Sequence, residues 1–344
     1  MDIVRRVSLR FGNEAVETAT HTNLSAVRTD GDFLWVAGDE TATVERFGIT
    51  DTGEYADHVT FDLADVVSLP GDPGDEVDIE GLARHGPYLW AVGSHSSKRK
   101  KIKSDHSDAK AASRLARVSK EPGRRVLARL AIADGRPVTE TPDGHRSAAL
   151  GKPGILELLD DDEHLAPFLA IPGKDNGFDI EGIAVHGEPG QERLFVGLRG
   201  PVLRGWAAVL ELAPREKKDG ELSPAALDDD ARYRKHFLDL DGLGVRDLCR
   251  HADDLLILAG PSMALDGPVR VYRWRGAALI DAPEVVHRSE LHHELDLPFG
   301  TGTDHAEGIA VLPGDELLVV YDSPDPARMP KRGTVLADVV RLPG

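Results

Sequence analysis

Short stretches of alternating apolar and polar residues run along most of this chain, each closed by a turn rich in glycine, aspartate or proline. Alternation with a period of two predicts β-strands. One phrase recurs: an acidic opening, an apolar strand, a polar turn and a second apolar strand. It is read at TNLSAVRTDGDFLWVAGDE (residues 22–40), VDIEGLARHGPYLWAVGSHSS (77–97), FDIEGIAVHGEPGQERLFVGLRGP (178–201), GVRDLCRHADDLLILAGPS (244–262) and DHAEGIAVLPGDELLVVYDS (304–323). A further alternating stretch follows each copy, such as ATVERFGI, WAAVLEL or VRVYRWR.

Anchored on the second strand, the copies begin near Leu34, Leu89, Leu194, Leu255 and Leu317, at steps of 55, 105, 61 and 62 residues. Units of about 60 residues holding several short strands suit the blades of a β-propeller, which closes by radial repetition. The pattern predicts an all-β fold, a single β-propeller domain over residues 1–344 with five blades, or six if the long step hides a degenerate copy. Insertions are the favoured account of that step. KRKKIKSDHSDAKAAS (98–113) is basic and turn-rich, and ILELLDDDEHLAPFL (155–169) reads as a short amphipathic helix. The opening strand IVRRVSLRF lacks a partner nearby and is expected to close the ring against the last blade. Trp35, Trp90, Trp206 and Trp274 fall in strands and should fill space between blades.

Composition narrows the classes of function. The 344 residues are 41% hydrophobic, enough for a real core, and carry 59 acidic against 41 basic groups, a net charge of −18. That field opposes binding to nucleic acid or to an anionic membrane and favours cations. The N-terminal stretch alternates without a continuous apolar run, so neither a signal peptide nor a membrane span is expected, and the expected location is cytoplasmic. A single cysteine, Cys249, excludes an internal disulfide and reads as a small buried hydrophobe. The chain has no GxSxG elbow, Walker loop, dinucleotide fingerprint or HExxH.

In a propeller the residues that open the inner strands crowd around the axis. Aligning Gly81, Gly182 and Gly308 places Glu80, Glu181 and Glu307 at one level, with Ser25 and Arg246 in the other copies. Residues two apart on a strand share a face, which sets Asp78 beside Glu80 and Asp179 beside Glu181. Carboxylates gathered in this way repel and take up protons unless a positive charge offsets them. Asp78, Glu80, Asp179, Glu181 and Glu307 are therefore candidate ligands for a divalent cation, calcium being suited to oxygen donors. The built-in alternative is Arg246 helped by Arg199, with Arg246 bridged to Glu80 or Glu307. The glycine after each glutamate is explained by close backbone approach alone.

The second strands end on the same side, at GSHSSK (93–98), GLRGPVLRG (197–205), AGPSMALDG (259–267) and YDSPDPAR (321–328). These segments, with Arg246 and Asp247 from the opening of the fourth copy, are expected to bring His95, Arg199 and Arg246 to the chemistry and Ser96, Asp247, Ser262 and Asp322 to a ligand. The basic run at 98–103 is expected to be a solvated loop at the rim.

DIEG at 78–81 and 179–182, GSHS at 93–96, LRGP at 198–201, RDL at 246–248, EGIA at 307–310 and YDS at 321–323 resemble an uncharacterised bacterial β-propeller family, a domain of unknown function. The resemblance spans nearly the whole chain and implies the fold. More distantly, the D-x-E-G phrase resembles phytase-like esterase propellers, which implies calcium at the channel mouth and a substrate phosphate; Ser25 and Arg246 depart from that acidic pattern. The expected function is metal-assisted hydrolysis of a small phosphoester or ester, with His95 moving protons and the arginines stabilising negative charge. The alternative is a non-catalytic propeller that binds a small molecule or a protein partner.

Overall fold

The computed structural model describes residues 3–72, 75–217, 220–227 and 231–343. Each copy of the phrase forms an inner strand and its hairpin partner. The inner strands are Leu24–Thr29, Ile79–His85, Asp179–His186, Gly244–His251 and His305–Leu312. Each pairs antiparallel with the next strand of its phrase. A third strand continues each sheet, and a fourth lies outside it, the outer members being Tyr55–Asp62, Ala148–Leu150, Tyr233–Asp239, Leu291–Leu297 and, from the chain start, Ile3–Arg10. The inner strands neighbour one another in a closed cycle in chain order, so the fold is a β-propeller.

The ends of the chain share one sheet: Ile3–Arg10 runs antiparallel along Thr334–Arg341, with Arg10 opposite Thr334 and Arg5 opposite Val339. Several outer edges are covered by short parallel pairings. Glu221–Pro224 lies beside Ala148–Leu150, Val285–Val286 beside Phe237 and Leu238, and Leu9 beside Tyr55. Covered edges offer few free N–H and C=O groups to a foreign strand. Buried apolar side chains collect in clusters at the junctions between neighbouring units. Trp35, Trp90 and Trp274 are buried at these junctions, as expected of bulky rings between sheets, whereas Trp206 is half-buried and meets His287 edge-on.

The long step between the second and third copies holds insertions. Ser97–Arg99 pairs with Val118–Lys120 as a small ribbon, and helix Asp108–Leu115 joins its strands, started by Ser107, whose hydroxyl accepts from the Lys110 amide. The helix expected over 155–169 is shorter than its pattern: it covers Ile155–Leu158 only. The Asp162 carboxylate accepts from the amides of His164 and Leu165, and Pro167 sits in the following turn, so Leu159 and Leu165 are buried without a continuous helix. No helix among the described residues is long and apolar enough to cross a membrane.

Inner strands approach so closely that glycine is required. Gly182 has φ +103°, and a Cβ there would lie 2.7 Å from the Leu248 amide nitrogen and 2.8 Å from Asp247 Cα. At Gly81 a Cβ would meet the backbone of Gly182 at 3.0 Å. Gly182→Ala is expected to lower unfolding free energy by about 2–4 kcal/mol, read as a shift in denaturant midpoint. A variant as stable as the parent would contradict this packing.

One layer below the mouth, Arg28 and Asp247 tie the inner strands together. Both are buried, and the guanidinium meets both carboxylate oxygens, at 2.7 and 2.9 Å. Arg28 also donates to the carbonyls of Ile309 at 2.7 Å, Ile183 at 3.3 Å and Leu248, while Asp247 accepts from the amides of Ile309 and Leu248.

Candidate functional site at the channel mouth

Every inner strand carries a β-bulge near its start. Pairing skips one residue between Leu24 and Ala26, Ile79 and Gly81, Val245 and Asp247, and Ala306 and Gly308, and two between Ile180 and Ile183. The skipped positions hold Ser25, Glu80, Glu181 with Gly182, Arg246 and Glu307, the ring the repeat alignment placed at one level. A bulge sets two residues against one and re-aims a side chain out of the pleat. Polar groups thereby reach the channel mouth from strands that are otherwise apolar.

The ring divides into two halves. In one, arginines neutralise the acids. Arg199 contacts Glu181 at 2.6 Å and donates to the carbonyls of Ser262 and Met263 at 3.0 and 3.3 Å. Arg246 pairs with Glu307 and lies 3.5 Å from Glu181. Arg246 is thus an internal salt bridge to Glu307, not to Glu80.

In the other half the acids predominate. Oxygens of Asp39, Asp78 and Glu80 lie within 4.8 Å of one another. Asp78 has one cation, Arg124 at 2.8 Å, which Glu76 and Glu121 share. Asp179 is buried to 4% exposure and, among the described residues, makes neither a side-chain hydrogen bond nor an ion pair, the charges of Arg199 and Lys174 reaching it only through space. Burial, followed by the neighbouring carboxylates Asp78 and Asp322, pushes Asp39 up to about 7. Burial and Glu181 push Asp179 up to about 7 as well, and burial lifts Asp78 to about 6 against the pull of Arg124. Glu80, surrounded by Asp78, Glu181, Asp39 and Asp179, is held well above the usual carboxylate range by burial and these charges together.

Asp78, Glu80, Asp179, Glu181, Arg199 and Ser96 line a cavity of about 370 Å³. Glu307 and Arg246 stand beside it, joined to it through Glu181. Asp322 accepts from the Ser323 hydroxyl at 3.2 Å, and Ser262 contributes its carbonyl to Arg199. His95 lies elsewhere. Its backbone is left-handed at φ +56°, its Nδ1 meets the Gly93 carbonyl at 2.9 Å, and its ring opens onto a neighbouring cavity with Arg125, Glu157 and Asp160. Burial lowers it to about 4. Asp247, expected to touch a ligand, has both oxygens committed to Arg28 and two amides, because the residue after each bulge faces the neighbouring inner strand. Sequence reasoning missed Asp39, Glu76, Arg124 and Lys174. Asp39 had a signal, since AGDE ends the second strand of the first copy just as GSHS ends that of the second. Arg124 had none, because the long insertion delivers it.

These observations define a β-propeller with a charged, bulge-built channel mouth. The chain belongs to the DUF3616 family, described as protein of unknown function, whose model matches residues 23–338. Similar solved structures include glutaminyl cyclase from Myxococcus xanthus, 12% identical with a TM-score of 0.42, covering 100% of this chain and 97% of that one. Another is PQQ-bound aldose sugar dehydrogenase from Streptomyces coelicolor, 13% identical, TM-score 0.37, covering 98% and 99%. A third is a streptogramin B lyase, 8% identical, TM-score 0.39, covering 98% of each chain. No curated protein matches the chain by sequence.

Proposed function

We propose that the acidic half of the mouth holds a divalent cation and that the protein is a hydrolase of small esters or phosphoesters. The observation that carries this reading is the convergence of Asp39, Asp78 and Glu80 within 4.8 Å beside the unpartnered, buried Asp179. All of these donors are oxygens, which fits calcium better than a nitrogen- or sulfur-seeking metal. When bound, such an ion supplies Lewis acidity and a more acidic water. Arg199, already oriented by Glu181 and two carbonyls, would stabilise negative charge that develops on the substrate. Asp179, titrating near neutrality, is suited to hold or release a proton there, a role that His95 would fill only from the neighbouring cavity.

The test joins calorimetric titration with Ca²⁺ to turnover of p-nitrophenyl phosphate and p-nitrophenyl acetate, each with and without chelator. Expected are saturable binding, chelator-sensitive turnover, and a loss of at least about 100-fold in kcat for Glu80→Gln with an unchanged Tm. Binding without turnover of either ester would leave a ligand-binding propeller. No binding by Ca²⁺, Mg²⁺ or Mn²⁺ would overturn the cation site.

A further inference from the structure

The charges lining the mouth cavity do not all cancel. Lys98 pairs with Glu76 at 2.9 Å, Arg99 with Asp175 at 2.6 Å and Arg199 with Glu181 at 2.6 Å, and Arg124 is surrounded by acids. Two sets are left over in the same cavity. Among the described residues Asp39, Glu80 and Asp179 make no ion pair, the charge of Lys174 reaching Asp39 and Asp179 only through space; Lys100 and Lys101, which line the same cavity, make none either. Lys100, Lys101 and Ile102 follow the first strand of the inserted ribbon and Leu115 ends the helix that joins its strands; Ile102 and Leu115 line this cavity and are 46% and 48% exposed.

Acidic groups, two lysines and two apolar side chains thus share the lining of about 370 Å³ of space. A cation held by the acids would leave the lysines uncompensated, which an anion lying between the two would complete. Ile102 and Leu115 add apolar surface to this lining that a purely polar anion would leave in water and an organic group would cover. We propose that the inserted ribbon makes this mouth selective for an amphiphilic organic anion. Its phosphate or carboxylate head lies between that cation and Lys100 and Lys101, and its apolar group lies against Ile102 and Leu115. The inference rests on the cation reading of the acids and assigns the ribbon the choice of ligand.

Calorimetry on the full chain tests it, with saturating Ca²⁺ and four probes: phenyl phosphate, benzoate, inorganic phosphate and phenol. Phenyl phosphate or benzoate is expected to bind, the better of them at least about tenfold more tightly than inorganic phosphate, and phenol not at all. Which of the two wins identifies the head group. The K100E/K101E variant should weaken the winning anion by at least about tenfold without weakening Ca²⁺ binding. I102S/L115S should bring its affinity down to that of inorganic phosphate, and circular dichroism checks that both variants fold. The inference falls if neither organic anion binds the Ca²⁺-loaded protein, if phenol binds as well as they do, or if K100E/K101E binds them unchanged. Anion binding without any Ca²⁺ binding would instead sink the cation reading of the acids while keeping the ribbon's role.

Discussion

Arg28→Met is expected to lower the unfolding free energy by about 3–5 kcal/mol, because it leaves Asp247 as a buried carboxylate without its cation. The side chain is 6% exposed and that of Asp247 0%, so water cannot take over the lost contacts. The pair also satisfies carbonyls and amides on several inner strands, so its loss uncouples sheets and removes more than one contact. Chemical denaturation of Arg28→Met, Asp247→Leu and the double variant measures this. Each single change should be strongly destabilising, and the double variant less so than the sum of the two, since no unpaired charge then remains. Additive losses would mean that the pair does not act as a unit.

Without a divalent cation, stability is expected to fall by several kcal/mol as pH rises from about 5 to about 8. The sign follows from carboxyls whose folded pKa is raised. Asp78 at about 6 and Asp39 and Asp179 at about 7 bind protons more tightly folded than unfolded. Their contribution is complete below the unfolded value near 4 and disappears as pH climbs through 6 and 7. Groups of the opposite kind act at lower pH. Burial alone would raise Glu211, but the adjacent imidazoles of His186 and His236 and the charge of Arg193 hold it down to about 2, so its contribution is lost only on strong acidification. Stability in chelator should therefore peak in mildly acidic solution. Calcium at about 100 times its Kd at pH 8 should restore about 2.7 kcal/mol there, and the same concentration less at pH 5, because protons compete for the same oxygens. Asp39→Asn with Asp179→Asn should flatten the profile in chelator and abolish the response to calcium. A profile that rises with pH in chelator would show that these acids are compensated from within the protein.

Much of the fold was legible because it rests on local periodicity. Alternation marks strands without knowledge of their partners, and copies of one phrase mark equivalent places in a radial array, so Glu80, Glu181 and Glu307 could be set at one level before any coordinates. The glycines after them were also readable, as close backbone approach at Gly81 and Gly182 bears out. Less readable was the division of labour within the ring. Which acid meets an arginine depends on the small displacements produced by bulges and on loops delivered from far along the chain. Arg124 reaches Asp78 from beyond a long insertion, and Arg28 reaches Asp247 across 219 residues of sequence.

The chain's alternation, repetition and acidic surplus by themselves determined an all-β radial fold and the strand positions that would carry its charged mouth. Tertiary structure alone decided that Glu181 and Glu307 are neutralised, that Asp39 joins Asp78 and Glu80, that His95 turns to a neighbouring cavity, and that the basic run at 98–101 lines the same cavity as the acids. The physical reason is range: strand patterning is set by neighbours a residue or two apart, whereas charge compensation is set by distances of a few ångströms between groups that only the closed ring brings together.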